Sequence, residues 1–159
     1  MSAIKEDYHD KIEAGQRQSI KKKGKIFYGG RFGKLRLAQD ISETKKTVWI
    51  SARHPECLSR PFAFECVNSD TELIIIDDLP ATKLNEVLWL VSSEKLIVNK
   101  MYTGKFEVDV PEIIVTTNCD ESDVSGASIE ARFDVIRFNS MDDYFIQYEK
   151  YFGYPHSEL

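Results

Sequence analysis

Two short, uninterrupted aliphatic runs constrain this chain more than any other feature. Residues 73–76 read LIII and are closed by Asp77 and Asp78; residues 113–115 read IIV and are closed by Thr116, Thr117 and Asn118. β-Branched runs without polar alternation suit central strands of a parallel sheet, where both faces are covered. Parallel neighbours need a crossover of about a dozen residues or more, usually a helix, so the sequence predicts an α/β fold. Residues 25–28, 47–50 and 135–138 supply further candidate strands, which makes five. Between them, 35–41 reads as a helix, and so does 82–91, with Leu84, Val87, Leu88 and Val91 on one side. Residues 96–101 and 106–110 are β-rich and flank Tyr102, Thr103, Gly104 and Lys105, a predicted β-hairpin. Ser140 opens an SMDD capping pattern before an aromatic-faced helix that Gly153 and Pro155 would end. Residues 51–71, with Pro55 and Pro61, lack periodicity and predict an irregular connection.

A chain of 159 residues fits a single main domain. Its expected divisions are a basic helical lead (1–24), a core (25–139) and a C-terminal aromatic helix with tail (140–159). In the lead, Ile4, Tyr8 and Ile12 fall at helical spacing. Hydrophobic residues make up 42% and charged residues 30%, which excludes disordered and collagen-like classes. Lys5, Glu6 and Asp7 stand where a signal peptide needs an apolar stretch, and no run is long enough to span a membrane. The expected location is therefore cytoplasmic, or the host nucleus for a protein of a eukaryotic virus, with no membrane partner. Cys57, Cys66 and Cys119 lack CxxC spacing and read as free thiols. The net charge is −5, but residues 1–46 hold 12 Lys/Arg against 6 Asp/Glu, and residues 47–159 hold 9 against 20. An acidic majority repels duplex DNA as a whole, so any nucleic-acid contact must be local.

The LIIIDD segment delivers Asp77 and Asp78 to the carboxyl edge of the predicted sheet, where open α/β folds bind ligands. Loop initiation or helix capping explains such a pair equally well. FYGGRFGKLRLAQDI places Gly29, Gly30 and Gly33 after a strand and Lys34 at the start of a helix, the position of a phosphate-binding loop. The loop departs from GxxxxGK[ST]: Gly29 to Lys34 is one residue short, and Leu35 stands where a Mg²⁺-binding hydroxyl belongs. A tight strand-to-helix turn is the plainer reading of this loop. Asn118, at the end of EIIVTTN, can orient water or cap a turn. Arg132, in SIEARF, could reach a phosphate across a subunit boundary, though alone it is ordinary.

Read in order, GGRFGK, LIIIDD, the hairpin segment, EIIVTTN and EARF resemble the ATPase core of superfamily 3 helicases. The likeness is nearest to the replication initiators of small circular single-stranded-DNA viruses and plasmids, and spans residues 25–139. It implies a three-layer P-loop NTPase of the ASCE type, related to AAA+ proteins, with a mostly parallel five-stranded sheet in the order 5-1-4-3-2. ATP and Mg²⁺ would be its cofactors. By the same resemblance, Gly29, Gly30, Gly33 and Lys34 would hold phosphates and Asp77 would hold Mg²⁺ through water. Asp78 would polarise the attacking water, Asn118 would be the sensor, and Arg132 would enter a neighbour's site. The hairpin would meet single-stranded DNA or RNA through Lys100, Tyr102 and Lys105, although a surface hairpin with solvated lysines is the bland alternative. A homo-oligomeric ring is implied, with a separate origin-binding or nicking protein as a further partner. The expected function is thus an ATP-hydrolysing nucleic-acid motor of phage, virus or plasmid replication. The alternative is a non-catalytic remnant of such a fold, serving as a nucleic-acid- or protein-binding module.

Overall fold

The computed structural model describes residues 24–53, 63–100, 102 and 104–157. The expected lead helix, the lysine cluster of residues 21–23 and Cys57 lie outside these residues. The described elements are β1 (Gly24–Gly29), α1 (Lys34–Ser42), β2 (Thr47–Ser51), β3 (Leu73–Asp77), a 3₁₀ turn (Ala81–Lys83) and α2 (Leu84–Ser92). They continue with β4 (Lys95–Lys100), β5 (Gly104–Asp109), β6 (Glu112–Thr116), α3 (Glu121–Val124), α4 (Ala127–Arg132), β7 (Phe133–Phe138) and α5 (Met141–Phe152).

Five strands form one sheet in the order β2-β3-β6-β1-β7, and all four pairings are parallel. The hairpin strands β4 and β5 form a separate antiparallel pair. Because they are inserted in the chain, the order is 2-3-6-1-7 rather than a plain 5-1-4-3-2. Numbering the five sheet strands alone gives 2-3-4-1-5, which is 5-1-4-3-2 from the opposite edge. Ile74, Ile75, Ile76, Ile113, Ile114 and Val115 are all buried, as continuous aliphatic runs in a doubly covered sheet require.

Alternate side chains along each strand feed two cores. On one face Ile26, Ile74, Ile76, Ile113 and Val115 join Leu84, Val87 and Val91 of α2 and Leu96, Val98 and Val108 of the hairpin. On the other face Phe27, Leu73, Ile75 and Ile114 meet Leu37 and Ile41 of α1 and Tyr144 of α5. The layers are therefore helix and hairpin, sheet, and helix pair. The C-terminal helix starts with a capping box, in which Ser140 and Asp143 satisfy each other's backbone amides, and ends at Gly153 with φ 81°.

Several boundaries differ from the sequence reading. The helix expected over 82–91 opens as a 3₁₀ turn behind Pro80, whose φ is −63° and ψ 145°, and becomes α-helical at Leu84. The last strand begins at Phe133, two residues earlier than expected, where that ring enters the core. Among the described residues no helix is long and apolar enough to cross a membrane.

Candidate functional site

The carboxyl ends of β1, β3 and β6 converge because β6 lies between the other two. β1 ends in Gly29, whose φ is 104°, and a side chain there would stand 2.6 Å from the Phe138 carbonyl oxygen. Only glycine accepts both conditions. The Gly30 amide then donates to the Phe138 carbonyl at 2.9 Å, which ties the loop to the end of β7. Gly33, with φ 95°, forms the N-cap of α1, and Lys34 is the first residue of that helix.

Lys34 folds back into the site and is only 7% exposed. Its Nζ donates to the Gly29 carbonyl at 2.8 Å, the Thr117 carbonyl at 2.8 Å and Asn118 Oδ1 at 2.6 Å. Three acceptors match the three donors of an ammonium group. Burial lowers its pKa below the ordinary 10.5; Cys119, Asp78 and Asp77 oppose that shift, while Arg31 adds to it. The lysine is thus a desolvated cation that an incoming polyanion would stabilise.

β3 and β6 supply the floor. Thr116 Oγ1 donates to Asp77 Oδ1 at 2.6 Å and accepts from the Asp78 amide at 2.9 Å, so one hydroxyl holds the Asp77 carboxylate and the Asp78 backbone. Thr117 Oγ1 donates to the Leu79 carbonyl at 2.6 Å. Asp78 adopts a left-handed backbone, with φ 60°. Its Oδ1 accepts a long 3.4 Å contact from Asn118 Nδ2, and its Oδ2 lies 3.2 Å from Arg53 Nε. These groups line a cleft of about 530 Å³ together with Arg31, Arg36 and Met141. Leu35, 43% exposed, also faces the cleft.

Gly29, Gly30, Gly33, Lys34, Asp77, Asp78 and Asn118 therefore come together at one sheet edge. Arg132 does not join them: it precedes Phe133, which pairs with Gly24 at the opposite edge, and its Nη1 meets the Ser128 carbonyl at 3.5 Å. The hairpin is rooted at that opposite edge too, where the Val110 amide bonds to Glu94 just before β6 begins. Lys100 Nζ sits 5.1 Å from the Phe106 ring centre, Tyr102 is 98% exposed at the tip, and Lys105 is exposed. Sequence reasoning missed Arg53 and the bridging role of Thr116. An arginine two residues past a strand, and a threonine closing a buried run, were the available signals.

Two carboxylates beside an anion-seeking lysine fit Mg²⁺, which takes one or two protein carboxylates, water and substrate phosphates. Among the described residues no group of three or more His, Cys, Asp or Glu side chains forms a self-sufficient metal centre.

No protein-family model and no curated protein matches the chain. Among solved structures it is similar to the A-form apo structure of the NrS-1 C-terminal region, with 21% identity and a TM-score of 0.44 over 72% of this chain and 28% of that one. A second structure of that region gives 20% and 0.45, over 74% and 28%. The chain is also similar to a "putative ATPase" from Cytophaga hutchinsonii, with 9% identity and a TM-score of 0.39 over 87% of this chain and 48% of that one. The chain thus spans less than half the length of each of these structures. At these scores none of the three fixes the fold, which rests on the sheet order and the side-chain geometry.

Proposed function

We propose that this protein binds and hydrolyses a nucleoside triphosphate at the β1–β3–β6 edge and uses the cycle to move on single-stranded nucleic acid. The observation that carries the reading is the convergence of Lys34, Asp77, Asp78 and Asn118. The phosphates would lie over the Gly29–Gly33 turn and the N-terminus of α1, where loop and helix amides and the Lys34 ammonium favour negative charge. Asp77, oriented by Thr116, would hold Mg²⁺ through water, and the ion would neutralise charge on the phosphate oxygens. Asp78 would draw the proton from a water as its oxygen bonds to the terminal phosphorus and the bridging P–O bond breaks. ADP and inorganic phosphate leave, and the proton passes to solvent. Asn118 would help align that water, and Arg132 would act on a neighbouring subunit of a ring. Lys100, Tyr102 and Lys105 would carry the nucleic-acid contact.

The test is calorimetric titration with a non-hydrolysable ATP analogue, with and without Mg²⁺, on the wild type and Lys34→Ala. Binding that Mg²⁺ strengthens and Lys34→Ala removes is expected. No binding to folded protein at millimolar nucleotide overturns the reading.

Exposed Leu35 favours a second reading, a non-catalytic nucleic-acid- or protein-binding module, because it brings a hydrocarbon where a magnesium-coordinating hydroxyl is needed. Leu35→Ser separates the two. A working site gains Mg²⁺-dependent affinity from the new hydroxyl, whereas a module without nucleotide chemistry shows no change.

A further inference from the structure

We propose that Arg53 supplies, from the same chain, the guanidinium that stabilises the terminal phosphate during hydrolysis. The inference rests on the nucleotide-site reading above and adds a residue to it.

Arg53 follows β2, whose last residue Ser51 pairs with Asp77. Backbone geometry fixes this approach: the Ala52 amide donates to the Asp77 carbonyl at 2.8 Å, so residue 53 emerges beside Asp78. Its side chain is 72% exposed and lines the cleft from the wall facing the glycine turn. The ion pair with Asp78 Oδ2 is made through Nε. A guanidinium has five N–H donors in a planar fork, so further donors are available for a second anion. A phosphate close enough for Asp78 to act on its attacking water comes within reach of that fork.

Charge favours such a group. A triphosphate brought against Asp77 and Asp78 adds anions to a floor that already carries two carboxylates, and negative charge spreads over the terminal oxygens as the bond breaks. Lys34 approaches from the loop side, and Arg53 is placed on the other. Arg31 and Arg36 also line the cleft, Arg31 near Lys34 and Arg36 with its guanidinium 4.7 Å over the Tyr144 ring, and of the three arginines Arg53 is the one paired with Asp78. Before nucleotide arrives, the same ion pair holds the Asp78 carboxylate and masks its charge. Arg53 would therefore move from the acid to the phosphate when the substrate is in place.

The test uses the full chain, with Arg53→Ala and Arg53→Lys beside the wild type. Three quantities are read: ADP affinity, steady-state kcat and KM, and formation of the Mg²⁺–ADP–fluoroaluminate complex, which mimics the transferring phosphate. ADP affinity within about twofold of wild type in Arg53→Ala shows that the fold and the loop are intact. With that held, kcat should fall about 1,000-fold, at the low end for a lost phosphate-stabilising arginine. The fluoroaluminate complex should fail to form in Arg53→Ala, and Arg53→Lys should recover part of kcat. Wild-type kcat in Arg53→Ala, or a fluoroaluminate complex of undiminished stability, overturns the role of Arg53 and leaves the nucleotide site standing. A wild-type chain that binds no nucleotide overturns both.

Discussion

Gly33 rests directly against Tyr144: a methyl group on the glycine would stand 2.8 Å from the tyrosine Cβ and 2.9 Å from its ring. This contact joins the turn before α1 to the C-terminal helix. Tyr144 is fully buried, and its hydroxyl donates to Asp40 on α1. Burial, reinforced by that carboxylate, raises the phenol's pKa, so it stays protonated as a donor. The helix at the end of the chain therefore sets the shape of the candidate phosphate loop.

Gly33→Ala should consequently lower stability by about 1–3 kcal/mol, from the positive φ together with the clash. Gly126, the N-cap of α4, has open space around it and an extended backbone. In Gly126→Ala the stiffer unfolded chain, worth about 0.4–1 kcal/mol, offsets the N-cap preference for glycine over alanine, and the net change should be small. Urea unfolding of both variants checks this. Equal midpoints would show that the loop yields without strain.

Asp78→Asn should preserve nucleotide binding and reduce kcat by about 10²–10⁴-fold, the usual range for a lost general base. The left-handed φ of 60° at this position is one that asparagine accepts as readily as aspartate, so the backbone need not move. Binding is read by titration and turnover by phosphate release. Undiminished turnover would remove Asp78 from the chemistry.

The lowered pKa of Lys34 predicts a pH dependence with a definite sign. Phosphate would raise that pKa again, so below the lowered value the lysine is charged both free and bound, and affinity is flat. As pH climbs through the window between the free and bound values, binding takes up a proton and affinity falls, by up to tenfold per pH unit. Folding follows the opposite sign: the free protein holds this proton less tightly than the unfolded chain does. The stability contribution from Lys34 therefore rises as pH goes from its lowered value toward 10.5. Titrations at neutral and alkaline pH, in buffers of different ionisation enthalpy, read the proton directly. Affinity independent of pH would place the phosphates away from Lys34.

Replacing both Lys100 and Lys105 with alanine should weaken single-strand binding and reduce the slope of log affinity against log salt by about 1.4, or 0.7 for each lost phosphate contact. Fluorescence anisotropy with a labelled oligonucleotide across a salt series measures it. An unchanged slope would leave the hairpin tip solvated and uninvolved.

The strand core was legible because burial on both faces leaves a mark that needs no knowledge of partners: Ile74 to Ile76 and Ile113 to Val115 can only be interior. The hairpin was legible from Gly104, and the C-terminal helix from Ser140 and its aromatic spacing. The gathering of Lys34, Asp77, Asp78 and Asn118 followed from placing the two acids and Asn118 after strands, Lys34 at the start of the helix that follows the glycine turn, and from motif order. Arg53 was not legible, since it follows a strand without a glycine or a capping pattern and its meaning comes from the Ser51–Asp77 register. The contact between Gly33 and Tyr144 joins residues 111 positions apart in the chain, and periodicity carries no information over that distance. Nor did periodicity show that Arg132 and the hairpin root would fall at the sheet edge opposite the cleft, which depends on crossover direction.

The position of β6 governs when the site can come into being. The glycine turn hangs from β1 and the two acids from β3, yet these strands touch only through residues 112–116. A nascent chain stopped after Asp78 owns the turn, the lysine and both acids, and packs α1 on β3, but lacks the strand that pairs with both β1 and β3. Emergence of the IIVTT stretch from the ribosome is then the event that joins the two strand ends into one cleft. A sheet assembled through such distant pairings is expected to form late and slowly.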